Sequence, residues 1–199
     1  MTDHIFEVRE RHERFRGAMF DVVTDEVTMP GGGVAARDYL RHVGAVGVVA
    51  VDEYGRVVLV RQYRHPLGRR LWELPAGLMD VDGEDLPAAA LRELAEEADL
   101  VAGRIDLLID LHTSPGCSNE VIRLFLARDL SPVPDGERHE RHDEEAGLEL
   151  AWYDLDEAVA RVFAGQITNA AAVGGVLAAA RARAANWTTL RPANTPLVR

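Results

Sequence analysis

Glu93, Glu96 and Glu97 stand at i, i+3 and i+4, the spacing that gathers side chains on one face of an α-helix. The run that holds them, Ala88 to Ala98, is almost wholly alanine, leucine and glutamate, all strong helix formers. Asp85 is placed to cap its start, Pro87 is tolerated in the first turn, and nothing breaks the run before Asp99. At about 100° per residue the three glutamates fall within roughly a third of the circumference, and Pro87, Leu91, Leu94 and Ala98 form a neighbouring apolar stripe. The expected helix has one carboxylate face and one core face. Like charges at this spacing cost a few tenths of a kcal/mol per pair, a cost that a bound cation offsets. Hard carboxylate oxygens suit Mg²⁺, with Mn²⁺ as the alternative. An isolated run of this kind is more often a solvated acidic face, so the residues on its N-terminal side decide the reading.

Those residues are Trp72-Glu73-Leu74-Pro75-Ala76-Gly77, followed by a short acidic loop. Gly77, Glu84, Arg92, Glu93, Leu94, Glu96, Glu97 and Leu100 together resemble the signature of the Nudix hydrolases, G-x5-E-x7-R-E-U-x-E-E-x-G-U, with U aliphatic. Two positions depart from it. Six residues instead of five separate Gly77 from Glu84, and Asp99 stands where the signature has glycine. The extra residue falls in the loop and leaves the spacing from Glu84 to Glu97 intact. Asp99 takes the left-handed position that ends the helix, where Asp and Asn are the least penalised replacements for Gly.

The resemblance implies an α/β Nudix fold, a mixed β-sheet sandwiched between α-helices. It implies metal held by Glu93, Glu96, Glu97 and the carbonyl of Ala76, with Gly77 allowing the backbone to approach closely. Arg92 suits a supporting role, orienting Glu93 or Glu96 by a bidentate pair, and Glu84 suits anchoring the loop. Members of the family cleave a nucleoside diphosphate linked to another group, and the nearest resemblance is to the ADP-ribose pyrophosphatases. In those a proline lies some way past the signature, and Pro115 stands about fifteen residues beyond Leu100. The same resemblance points to a general base in a late acidic loop, with Glu145 the choice and Glu144 the rival. Other branches place the base within the signature, which keeps Glu93 and Glu96 as alternatives. Arg64 is the candidate for the diphosphate or terminal ribose, and Glu120 for the ribose hydroxyls.

Several elements must position these groups. Ile5 to Val8 and Met19 to Val23 suggest strands, Met29 to Gly33 a turn, and Val34 to Val43 a further run. Residues 1–42 are expected as an N-terminal β segment serving packing or dimerisation, 43–185 as the Nudix hydrolase domain and 186–199 as an irregular tail. Ala45 to Val51 and Val57 to Tyr63 read as a hairpin across Asp52 to Arg56, the first run being apolar enough for burial on both faces. Arg61, Arg64, Arg69 and Arg70 follow as candidate guanidinium contacts to an anionic substrate. Ile105 to Leu111 and Val121 to Leu126 make two more strands. Ser131 to Glu145 is a polar loop rich in charge, and its His139 and His142, like His112, lack metal-ligand spacing. Leu148 to Tyr153 is a strand. Helices follow from Leu155, capped by Asp154, and from Thr168 or Asn169, the latter rich in alanine with Gly174 and Gly175 for close packing.

Across 199 residues the hydrophobic fraction is 47% and the formal charge is −11. That length supports one full core, and the charge argues against nucleic acid or an anionic membrane as partner. All the basic residues other than histidine are arginine. With Cys117 as the sole cysteine, an intrachain disulfide and a cysteine-rich zinc site are excluded. The charged first residues show no secretory signal pattern, so a cytoplasmic protein is expected. The resulting expectation is a Mg²⁺-dependent hydrolase splitting ADP-ribose into AMP and ribose 5-phosphate, its partner a small nucleoside diphosphate sugar, assembled as a homodimer. The alternatives are a pyrophosphatase for another nucleoside diphosphate sugar and a non-catalytic nucleotide sensor with the same fold.

Overall fold

The structure is a computed structural model that describes residues 4–81, 83–141 and 147–197. The chain forms two compact units, one of residues 1–44 with 112–120, the other of 45–111 with 121–199. In the first, β1 (Val8–Arg16), β2 (Phe20–Thr28) and β3 (Val34–His42) make a three-stranded antiparallel sheet in the order of the sequence. Asp25, buried on β2, is held by Arg11 at 2.6 and 2.7 Å. The loop 112–120 joins this unit through the Cys117 carbonyl, which accepts the Leu40 N–H at 2.8 Å.

The second unit contains β4 (Ala45–Ala50), β5 (Arg56–Arg64), β6 (Arg69–Glu73), β7 (Ala76–Leu78), α1 (Leu86–Ala98), β8 (Leu100–His112, apart from its last residue), β9 (Val121–Pro132), β10 (Glu149–Asp154), α2 (Leu155–Phe163) and α3 (Ala170–Ala184). One sheet has the order β7-β4-β9-β8 and the other β10-β5-β6. β4 runs parallel to β9 and antiparallel to β7.

Strand β4 is buried at every position, and its alternation explains the layers. Val46, Val48 and Ala50 join one core with Ala89, Ala90 and Leu94 of α1, while Val49 joins the other with Ala172, Val176 and Ala179 of α3. On β9, Phe125 and Ala127 face the first core and Leu124 and Leu126 the second. Each fully buried valine or leucine contributes about 1.5–3 kcal/mol, and because successive strand residues point to opposite faces, one strand anchors helices on both sides.

The expected hairpin is only partly formed. Its turn closes, with Asp52 accepting the N–H groups of Tyr54 and Arg56 and a single bridge joining Val51 to Val57. Beyond that bridge the strands part into different sheets, because β4 takes β7 and β9 as neighbours and β5 takes β6 and β10. Helix α1 starts at Leu86, with Asp85 in the cap position but its carboxylate making no cap hydrogen bond. The physical reason lies next door: Pro87 sits at the second helical position and lacks one of the two N–H groups such a cap serves. By contrast Asp154 and Asn169 cap α2 and α3 by accepting from Asp156 and Ala172.

After α3 the chain runs in turns, yet it is tied down. Arg191 bridges to Leu107 of β8, and the guanidinium of Arg123, 2% exposed, pairs with Asp110 at 2.7 and 3.0 Å while donating to the carbonyls of Thr195 and Pro196 at 2.5 and 3.2 Å. Among the described residues no helix is long and apolar enough to cross a membrane.

Gly175 shows how closely α3 approaches the sheet. A β-carbon there would lie 2.8 Å from Leu74 Cδ1 and 2.9 Å from Val49 Cγ2. Gly175→Val is therefore expected to lower stability by about 1–3 kcal/mol through overpacking, read as a drop of several degrees in the thermal unfolding midpoint. An unchanged midpoint would show that α3 can move away at no cost.

Candidate active site

Three segments of the second unit build the site. β7 is an edge strand held by β4 through the pairs Val46 with Gly77 and Gly47 with Ala76, and the Val48 N–H donates to the carbonyl of Pro75 just before it at 2.9 Å. Toward α1, the Ala76 N–H donates to Glu97 Oε2 at 3.0 Å. Glu97 is 6% exposed, so that bond fixes a carboxylate which burial alone would destabilise. One residue on, a β-carbon at Gly77 would overlap the carboxylate of Glu93. The glycine is thus a cradle: its missing side chain is the space Glu93 occupies.

Arg92 ties the acidic groups together. Its Nε and Nη2 reach the two oxygens of Glu84 at 3.1 Å each, and its Nη1 donates to Glu93 Oε1 at 2.6 Å and Glu96 Oε2 at 3.1 Å. The bonds from Arg92 hold the Glu84 carboxyl below its usual range, and Glu84 in turn raises the Arg92 pKa. One guanidinium thus serves three carboxylates, and the buried Glu97 adds a fourth. The surplus of negative charge favours a cation, and the donors are the hard oxygens that Mg²⁺ and Mn²⁺ prefer. The residues present fit such an ion, and Glu93, Glu96 and Glu97 are the ones that would hold it.

The expected helix terminus is found, with Asp99 left-handed at φ 54 and ψ 35. Arg64 and Glu120 are placed in surroundings the sequence did not suggest. Arg64 pairs fork to fork with Glu73 at 2.9 and 2.8 Å. Glu73 is 3% exposed and faces Val60 across the β5–β6 ladder, and its only advance signal was a charge between the apolar neighbours Trp72 and Leu74. Glu120 belongs to the other unit, where it accepts from the Thr113 hydroxyl and lies 3.8 Å from His42 Nδ1. Arg61 and Arg70 share Glu149, and Arg70 also donates to the Gly147 carbonyl at 2.7 Å. Arg69 is exposed. The two candidate bases, Glu144 and Glu145, lie outside the described residues, as does His142.

Arg141 went unnoticed in the sequence. It donates to the carbonyls of Glu96 and Glu97 at 3.1 Å each and pairs with Asp99 at 2.7 Å. Beside it, a cavity of about 450 Å³ is lined by Arg92, Ala95 and Glu96 of α1 and by Glu137 to Glu140. In the first unit, exposed Glu10 and Glu26 with half-buried His12 bring one possible ligand atom each within 4.8 Å of one another. Glu10 and Glu26 are direct cross-strand partners, an arrangement their own repulsion disfavours.

The model of the NUDIX domain matches residues 41–172. An ADP-ribose pyrophosphatase of Mycobacterium tuberculosis is 47% identical over 89% of this chain and 84% of its own length. One of Bacillus subtilis is 33% identical over 80% of this chain and 84% of its own. A crystal structure of an ADP compounds hydrolase superposes with a TM-score of 0.77 at 20% identity, covering 94% of this chain and 98% of that one, a likeness of fold.

The cradle at Gly77 is open to test. Its backbone does not need a glycine conformation, so Gly77→Ala is expected to leave the unfolding midpoint within a few degrees while displacing Glu93. Mn²⁺ affinity, read by calorimetry or electron paramagnetic resonance, should fall about 10–100-fold. Unchanged affinity would remove Glu93 from the ligand set.

Proposed function

The chain belongs to the NUDIX domain family, and on that premise we propose that it hydrolyses the diphosphate bond of ADP-ribose, giving AMP and ribose 5-phosphate. The observation that carries this reading is the 47% identity to an ADP-ribose pyrophosphatase across 89% of the chain. The glutamate face of α1 supports it, being complete and organised by Arg92.

The reaction joins a water oxygen to one phosphorus and breaks its bond to the bridging anhydride oxygen, which leaves on the other phosphate, so the site must neutralise charge, orient the water and take its proton. A divalent cation, Mg²⁺ in our proposal, neutralises the diphosphate and acidifies water when bound. Glu93, Glu96 and Glu97 would hold it, together with the Ala76 carbonyl. Arg92 keeps the glutamates in place against their repulsion, and the Ala76 N–H sets the orientation of Glu97. Glu145 takes the proton, with Glu144 as the rival and Glu93 the alternative within the signature. Arg64 presents a guanidinium whose plane is fixed by Glu73, which suits a contact to the diphosphate or terminal ribose. Glu120 is proposed for the ribose hydroxyls. We further assign hydrolysis to residues 43–185, with 1–42 in packing or dimerisation, 186–199 as the tail, a homodimer as the assembly and the cytoplasm as the location.

Product analysis with ADP-ribose, ADP-glucose, GDP-mannose and diadenosine polyphosphates, each with Mg²⁺ and with a chelator, tests the reading. AMP from ADP-ribose should exceed product from the others and vanish on chelation. Preference for another sugar would keep the mechanism and move the substrate, and ADP-ribose binding without turnover would make the chain a sensor. Glu97→Gln is expected to abolish turnover in a folded protein. Glu145→Gln should lower kcat by about 10²–10⁴ with little effect on metal affinity, and damage from Glu144→Gln alone would move the base by one residue.

A further inference from the structure

Asp99 is both one of the two departures from the family signature and the point where two ends of one segment meet. Its carbonyl accepts the N–H of Val133 at 2.9 Å. Its carboxylate pairs with Arg141 at 2.7 Å, and the same guanidinium donates to the carbonyls of Glu96 and Glu97 at 3.1 Å each. Residues 133–141 are therefore pinned at both ends to the last turn of α1. Between the pins, Glu137 to Glu140 line the 450 Å³ cavity whose helical side is Arg92, Ala95 and Glu96.

The chemistry of the pin is specific. The last carbonyls of a helix have no partner within it and carry partial negative charge, so a cation is favoured there. Arg141 supplies it, and the two carbonyls it takes belong to residues whose side chains form the glutamate face. A glycine at position 99 would make the left-handed turn without strain but would give Arg141 no carboxylate. Aspartate accepts a less favourable backbone conformation, and in exchange the helix terminus gains an anchor for a distant segment. In the sequence Arg141 comes three residues before Glu144.

We propose that Asp99 and Arg141 are a pair of positioning residues for the hydrolysis, clamping segment 133–141 to the turn of α1 that carries Glu96 and Glu97. The pair touches no reacting atom. It holds the two glutamates and the facing cavity lining in a fixed relation, and displacement of such groups by about 1 Å is enough to cost up to about 10²-fold in rate. This rests on the hydrolase reading above.

The test uses the full chain with Asp99→Gly, Arg141→Gln and the double variant, measuring steady-state turnover of ADP-ribose with Mg²⁺ and hydrogen exchange of the amides in 133–141. Asp99→Gly keeps the backbone bond from Val133 and relieves the left-handed conformation, so its unfolding midpoint should equal or exceed that of the parent. Each single variant should lower kcat about tenfold with KM changed less than about threefold, and exchange across the segment should speed up. The double variant should be no slower than the worse single, as for two halves of one interaction, and Arg141→Lys should recover part of the loss. Unchanged kcat in Asp99→Gly overturns the proposal, whether or not exchange rises, and so does a double variant in which the two losses multiply. A parent protein that binds Mg²⁺ but turns over no ADP-ribose overturns the hydrolase reading and the pair's role with it, whereas an active parent beside an unimpaired Asp99→Gly overturns the pair alone.

Discussion

Repulsion among carboxylates is the constraint on which this site depends. Glu93, Glu96 and Glu97 occupy little more than one turn of α1, and Glu84 is drawn to the same guanidinium. A flexible peptide with these residues would spread them apart. The fold prevents it in two ways: Arg92 neutralises part of the charge from within the cluster, and Ala89, Ala90 and Leu94, buried beside the glutamates, lock α1 into the core. Packing makes the helix a rigid frame, and the frame makes the charge available.

The same core determines how the partner strand reaches the glutamates. β4 is covered on both faces and cannot shift without disturbing both layers. β7 hangs on its edge by three residue pairs and brings Ala76 and Gly77 against α1. Apolar burial thus carries through to the position of a polar N–H on Glu97 and of an empty side-chain position at Gly77. Chemistry and packing share a strand.

Local patterns were legible where a short sequence decides its own conformation. The spacing of Glu93, Glu96 and Glu97 revealed the acidic face, and Asp99 was readable as a left-handed terminus because few other residues tolerate that conformation. The capping residues Asp154 and Asn169 acted as their types suggest. Asp85 did not, since Pro87 withheld a donor. What depends on long-range pairing stayed hidden. The turn at Asp52 looked like a hairpin because it is one for a single bridge, and only the distant β6, β7, β9 and β10 pull its arms apart. Arg64 announced an anion, and the structure gives it one already in Glu73. Arg141, in a loop more than forty residues beyond α1, left no local trace of its place on the helix, because carbonyl oxygens attract a guanidinium regardless of which side chains accompany them.

That indifference to side chains recurs at Arg123. Buried between Asp110 and the carbonyls of Thr195 and Pro196, it holds this stretch of the tail by peptide oxygens alone, which every residue type possesses. Drift in the identities of these tail residues would leave the contact intact, while loss of the segment would strip a buried charge of two acceptors. Descendants of this sequence are therefore free to rewrite the spelling of the tail far more readily than to shorten it.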